Sequence, residues 1–314
     1  MPLATFAALK PAARWLPLSW GFRLADLVGW VLYLSPPGRR RRGAMQAAFP
    51  DGPRGAGELA RRWLTGPYRD YLYLRRVVTG RDDLPTAADV RSEMSEATRS
   101  LLEGDQSLIV ATGHFARQPM LGLYTEGVVP RRPIAVVAQL PERPSSTAEA
   151  RTIEHFGQML AVMGLARPEI RVVPIGTLTG AREVVQRLSE PGWAAMISAD
   201  ATVANWMPMA LARPFAGWAQ RPFANGTAQF ARMAQVPVVV AIPYLDADGA
   251  CVVEWSDPLP PPGRRDRAGE ATLTDQILDR LELAVGHRPA QYVIDVGEGR
   301  QWDPTNERWL STLS

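Results

Sequence analysis

The chain holds three histidines, His114, His155 and His287, and a single cysteine, Cys251, so its supply of groups for acid/base or nucleophilic work is small. None of the four stands at ligand spacing to another, which argues against a metal site. The serine-hydrolase elbow G-x-S-x-G, the phosphate loop G-x-x-x-x-G-K-[ST] and the dinucleotide fingerprint G-x-G-x-x-G do not occur in the sequence. His114 is then the best catalytic candidate. It lies in "IVATGHFARQPMLGLY", residues 109–124, where a β-branched run leads through small residues to the imidazole and on into an apolar segment. A histidine between a buried strand and a helix is suited to proton transfer near neutrality, but it usually works with a carboxylate that holds its ring. Five residues on, in the obvious position for that carboxylate, stands Pro119. His155 falls inside a predicted helix and His287 near a helix C-terminus, where a cation suits the dipole, so both read as structural.

The elements that must position His114 follow from periodicity. β-rich runs occur at "QSLIVAT", "PIAVVAQ", "IRVVPIG", "WAAMISAD", "VPVVVAIPYL" and "CVVEWSD". Helical patterns lie between several of them, at "SSTAEARTIEHFGQMLAVMG", "TGAREVVQRLSE" and "GTAQFARMAQ". This alternation predicts an α/β fold: a mixed, largely parallel sheet flanked by helices. Upstream, residues 44–78 read as two helices with a Pro/Gly interruption, with Trp63, Tyr68, Tyr71 and Leu74 at core spacing. Residues 88–103 suit an amphipathic helix, and Gly104-Asp105 is a turn signal. "TLTDQILDRLELAVGHRP" reads as a capped helix after the proline-rich loop 258–269.

Bulk properties narrow the class. At 314 residues, 46% hydrophobic and 21% charged, the chain fits one large α/β domain with appendages or two small domains, and neither a disordered chain nor a polytopic membrane protein. The net charge is +3 and arginine supplies nearly all the cations, leaving room for local patches that attract phosphates, acidic carrier proteins or anionic lipid. One cysteine excludes an intramolecular disulfide framework and points to a reducing compartment. Residues 15–34 are rich in Trp and Leu but carry Arg23 and Asp26, so they make a poor spanning helix, and no small-residue cleavage site follows. Trp15, Trp20, Trp30 and Tyr33 are types that settle at a bilayer interface, and "GRRRRG" follows at 38–43. The segment reads as an amphipathic helix resting on an anionic leaflet, or else as a first helix packed on the core with a solvated basic loop after it. Residues 1–43 then form the membrane-associating segment and 44–314 the α/β domain.

"ATGHFARQPM" resembles the histidine motif H-F-x-x-x-[DE] of the late lipid A acyltransferases and their lysophospholipid and phosphatidylinositol-mannoside relatives. Other blocks agree in order. "WLPLSWGFRLADLVGWVLYLSPPGRRRRGAMQAAFPD" resembles the family's anchor and first helices, and "WAAMISADAT" a strand ending in D-x-D. "RPFAGWAQRPFANGTAQFARMAQVPVVVAIPY" resembles its phenylalanine/glycine segment and following helix and strand, and "HRPAQYVI" its closing element. The resemblance spans nearly the whole chain. It implies a glycerolipid-acyltransferase-like fold. It also implies transfer of a fatty acyl group from acyl carrier protein or coenzyme A to a membrane-lipid alcohol or amine, at the cytoplasmic face of the inner membrane. The protein would be peripheral or monotopic, with no cofactor, metal or nucleic-acid partner. The implied role of His114 is general base, since an acceptor alcohol of very high pKa must lose its proton as it attacks the thioester.

Two positions depart from the family pattern. Pro119 replaces the motif acid and Thr202 the second aspartate of D-x-D. His114 then works unaided, or takes a neutral acceptor from Gln118, or borrows a distant acid. Asp200, at the predicted C-terminal end of a strand where ligands of open α/β sheets gather, is the choice for the last. Arg151 is a candidate phosphate contact or a plain helix-surface arginine, and Arg117 and Arg221, which flank the two motifs, are further candidates for the same contact. Asn225 opens a helix whose free amides face an anionic group, or simply caps it. The competing expectation is a degenerate family member that binds acyl chains or a partner protein without turnover.

Overall fold

A computed structural model of the chain describes residue 11 and residues 14–36, 38–39, 42–43, 55–83, 89–115, 120, 123, 132–138, 157–158, 160–165, 169–175, 178–200, 211–216, 218–292, 300–303 and 308–311. Two helices, α1 (Leu18–Leu34) and α2 (Gly55–Val78), precede β1 (Val90–Glu93), α3 (Glu96–Glu103), β2 (Leu108–Thr112), β3 (Arg132–Ala138), β4 (Arg171–Ile175), α4 (Leu178–Leu188) and β5 (Trp193–Ser198). A hairpin, β6 (Leu211–Phe215) and β7 (Trp218–Phe223), leads into α5 (Gly226–Ala234), β8 (Val238–Leu245), β9 (Cys251–Trp255) and α6 (Ala268–His287). A 3-10 turn (Pro289–Gln291) and the small pair β10 (Arg300–Asp303) and β11 (Arg308–Ser311) close the chain.

Seven strands form one sheet in the order β1-β9-β8-β2-β5-β3-β4. The five from β8 to β4 are parallel; β9 runs antiparallel to β8, and β1 pairs parallel with β9. The mixed, largely parallel α/β sheet predicted from the sequence is therefore present. Its central strands are apolar on both faces, as burial between two helical layers requires. Ile109, Ala111, Ala195, Ile197, Val238 and Val240 pack with Val184 of α4, Ala228 of α5 and Ile277 of α6. Their alternating neighbours Leu108, Val110, Ala194, Met196 and Val239 pack on the other face with Leu102 of α3.

Residues 88–103 do not make one helix. Val90 to Glu93 instead pair with Cys251 to Glu254 as an edge strand, and Ser95 starts α3 by accepting from Thr98 N. A free sheet edge beside a segment of mixed pattern outcompetes helix propensity there. α2 runs unbroken through Gly66 and Pro67, while the first of the two helices expected over 44–78 lies outside the described residues. Tyr68, Tyr71 and Leu74 are buried as their spacing predicts.

α1 lies against α2 through small residues. Gly21, Ala25 and Gly29 are its buried positions, and a Cβ on Gly29 would overlap Thr65. Asp26 accepts two hydrogen bonds from Arg69, at 3.0 and 2.6 Å, across the same contact. The opposite face of α1 carries Trp20, Leu27, Trp30, Val31 and Leu34, each between 48% and 63% exposed. Among the described residues no helix is long and apolar enough to cross a membrane.

Candidate active site

β2 and β5 are neighbours with Thr112 opposite Ser198, and Ala199 N donates to Thr112 O at 2.8 Å, so the ladder runs on past the ends of both strands. The residues that follow, Gly113-His114 and Ala199-Asp200, therefore emerge side by side at the C-terminal edge of the sheet. The chain leaves β2 toward β3 on one side and leaves β5, by way of the hairpin and α5, toward β8 on the other. The two connections cover opposite faces, Leu123 packing on the face of α3 and Ala228 of α5 on the other, and the crevice outside such strand ends is where open α/β sheets hold ligands.

Asp200 grips His114 at two points. Its Oδ2 accepts from the backbone N–H of His114 at 2.8 Å, and its Oδ1 lies 2.6 Å from the ring Nδ1. The Asp200 side chain is fully buried, whereas that of His114 keeps 20% exposure. Burial alone would push the Asp200 carboxyl up. The His114 charge and hydrogen bond, the Arg221 guanidinium and the His114 backbone N–H outweigh it and hold the carboxyl down to about 2. An ionised Asp200 can only accept, so Nδ1 carries the ring proton and Nε2 keeps the lone pair of a base.

Gly113 makes the approach possible. A Cβ there would come within 2.8 Å of Phe115 Cε2 and 3.3 Å of Asp200 Oδ2. The sequence reading did not single it out, although a glycine between a strand and a candidate histidine is the available signal.

Arg221, expected to meet a substrate phosphate, instead lies beneath the dyad. At 1% exposure it offers no surface to an anionic headgroup. Its Nη2 donates to Asp200 O at 2.9 Å and its Nη1 to the Tyr292 hydroxyl at 3.3 Å. Its guanidinium lies 5.3 Å from the ring centres of both Phe215 and Phe223. The hairpin that carries it is pinned to α6, where Arg213 reaches Asp275, Asp279 and Glu282 at 3.0, 2.6 and 2.9 Å.

Asn225 precedes α5 but makes no capping hydrogen bond with its side chain. Its Nδ2 donates to Glu270 Oε2 at 3.1 Å and its Oδ1 accepts from Gln229 Nε2 at 2.6 Å, so it joins α5 to α6. Neither contact leads to His114, and the side chain does not cap α5. Arg117, Gln118, Pro119, Arg151, His155 and Thr202 lie outside the described residues. His287 ends α6, as expected.

A cleft of about 430 Å³ opens elsewhere, between α1, α2 and the β8–β9 turn, with Phe22, Arg61, Tyr73 and Asp248 among its lining residues. His114 and Asp200 do not line it. Among the described residues, no three His, Cys, Asp or Glu side chains gather as metal ligands do.

No family model matches the sequence, and no curated protein matches it. Among solved structures, the 1-acyl-sn-glycerophosphate (LPA) acyltransferase PlsC from Thermotoga maritima aligns with 15% identity and a TM-score of 0.37, over 85% of this chain and 97% of that one.

Proposed function

We propose that the chain is an acyltransferase that moves a fatty acyl group from an acyl carrier protein or coenzyme A thioester to a hydroxyl or amine of a membrane lipid. The observation that carries this reading is the His114–Asp200 pair, a base with an exposed edge and a buried anion behind it, set at the C-terminal edge of the parallel strands. As the acceptor oxygen attacks the thioester carbon, its proton passes to Nε2 of His114 and Asp200 stabilises the resulting imidazolium. Collapse of the tetrahedral intermediate breaks the C–S bond. The imidazolium then returns the proton to the departing thiolate, leaving a new ester and a free thiol. No metal or cofactor enters this cycle.

The membrane part of the proposal draws on the exposed apolar stripe of α1 and on guanidinium groups beside it. Arg23 lies 5.3 Å from the Trp20 ring centre and Arg42 5.3 Å from that of Tyr33. Such pairs suit a headgroup layer, with the rings toward acyl chains and the cations toward phosphates. The acceptor then reaches the site from the cytoplasmic face of the inner membrane.

A second reading, a relative that binds acyl chains or a partner protein without turnover, draws on Pro119 standing where the motif acid belongs. One assay separates the two. Purified protein is incubated with labelled acyl carrier protein or acyl-coenzyme A and with anionic vesicles holding lysolipid and glycolipid acceptors. Labelled lipid product, lost with His114→Ala, supports the enzyme. Saturable binding of donor or vesicles with no product, and no change on substituting His114, supports the second reading.

A further inference from the structure

We infer that the cleft between α1, α2 and the β8–β9 turn is a binding site, separate from His114, for a phosphodiester headgroup that also carries hydroxyls, as on an anionic bilayer lipid. The lipid source rests on the membrane part of the proposed function; the phosphate chemistry does not.

At about 430 Å³ the cleft has room for a headgroup. Arg61, Arg62 and Arg69 line it from α2, and Asp246 and Asp248 from the turn opposite. Most of its acidic groups are already committed. Asp26 is taken by Arg69 through two hydrogen bonds. Asp246 accepts from Asp248 N and Ala250 N at 3.0 and 2.9 Å and meets Arg91 at 3.5 Å. Asp70 is buried and engaged. A ligand then meets the outward donors of Arg61 and Arg62, since a guanidinium carries more N–H groups than one partner occupies, and the carboxylate of Asp248, which is exposed on the turn.

Tyr73 points independently to a polar occupant. It lines the cleft at 5% exposure, yet no described residue makes a hydrogen bond with its hydroxyl. Burial raises its pKa, so the hydroxyl stays a donor. A donor so nearly buried is costly to leave without an acceptor. Arg62, Gly66, Arg69 and Tyr73 recur at helical spacing, and a Cβ on Gly66 would meet nothing within 4 Å, so open space runs along this stripe of α2.

The position suits a lipid. By helical spacing Phe22 and Asp26 occupy the face of α1 between its buried glycines and its exposed Leu27, Trp30 and Leu34. The phosphate then meets Arg61, Arg62 and the Tyr73 hydroxyl, the headgroup hydroxyls donate to Asp248, and the acyl chains leave along the α1 stripe.

The test combines thermal melting in glycerophosphoglycerol, a headgroup without chains, with sedimentation on phosphatidylcholine vesicles holding phosphatidylglycerol or, at matched surface charge, oleate. Glycerophosphoglycerol is expected to raise the melt, and the phosphatidylglycerol vesicles to bind about tenfold more tightly than the oleate ones. Arg61→Gln with Arg62→Gln is expected to abolish this preference, a ratio that a general loss of charge does not change. Gly66→Leu fills the open space while favouring the helix, and is expected to abolish it with the arginines intact. His114→Ala is expected to keep it. A parent without preference, or a preference that survives both cleft variants, overturns the inference. Inorganic phosphate that protects as well as glycerophosphoglycerol overturns the headgroup assignment. If glycerophosphoglycerol protects but neither vesicle binds, the membrane reading fails and the cleft stands as a site for a soluble phosphodiester.

Discussion

Asp200 holds His114 by backbone and by ring at once, through contacts of 2.8 and 2.6 Å that span 86 residues of sequence. The backbone bond fixes where the imidazole starts and the Nδ1 bond fixes how it is turned. One carboxylate thereby sets both position and tautomer.

Asp200→Asn keeps the shape and removes the charge. Its amide can offer Nδ1 either an acceptor or a donor, and the imidazolium loses its counterion. Acyl transfer is expected to fall by about 10³- to 10⁴-fold, with a thermal melt at neutral pH below that of the parent because the ionised carboxylate is gone, measured by initial rates and calorimetry.

The same carboxyl links stability to pH. Its folded value, about 2, is below the unfolded value of 3.8. Its contribution is therefore fully present above pH 3.8 and is lost as pH falls toward about 2. Urea midpoints of the parent and of Asp200→Asn are expected to converge across that window. A gap that stays constant from pH 5 to pH 2 would contradict an ionised Asp200 in the folded state.

Gly113→Ala inserts a methyl between the fully buried Phe115 and Asp200. Neither neighbour has room to withdraw. Destabilisation of about 1 to 3 kcal/mol is expected from overpacking, with loss of activity beyond what the melt explains.

Much of this was legible in the sequence, for identifiable reasons. β2, β5 and β8 are runs such as "LIVAT" and "VVVAIPYL" that match strands buried on both faces, and His114 and Asp200 each follow such a run. Strand ends meet at one edge of a parallel sheet, so pairing the two was a short step. The hairpin β6–β7 was hidden because its turn lacks a hairpin dipeptide and uses Ala216 at φ 50°. β1 was hidden because a four-residue edge strand shows almost no period. Arg221 was misjudged because arginine is seldom fully buried, and its partner Tyr292 lies 71 residues further along. Only the fold brings that pair together.

Pro119→Glu restores the family's motif acid. With Nδ1 already bonded to Asp200, a second carboxylate meets no free ring N–H on that side. The rate of acyl transfer is expected to change by less than about threefold. A large gain would show that Asp200 is a poor substitute.

The α1 stripe is tested by Trp20→Glu with Leu27→Glu. Both side chains point away from α2. Circular dichroism is therefore expected to be unchanged, while sedimentation with anionic vesicles falls by about tenfold or more. Undiminished binding would remove α1 from the membrane contact.

The central claim is that His114 and Asp200 act as a unit, and the most direct test is the double-mutant cycle on kcat/KM. His114→Ala and Asp200→Asn are measured singly and together with one acyl-thioester donor. The double variant is expected to be no slower than His114→Ala alone, because the carboxylate has no function without the ring. Losses that multiply would contradict a shared role for the two residues.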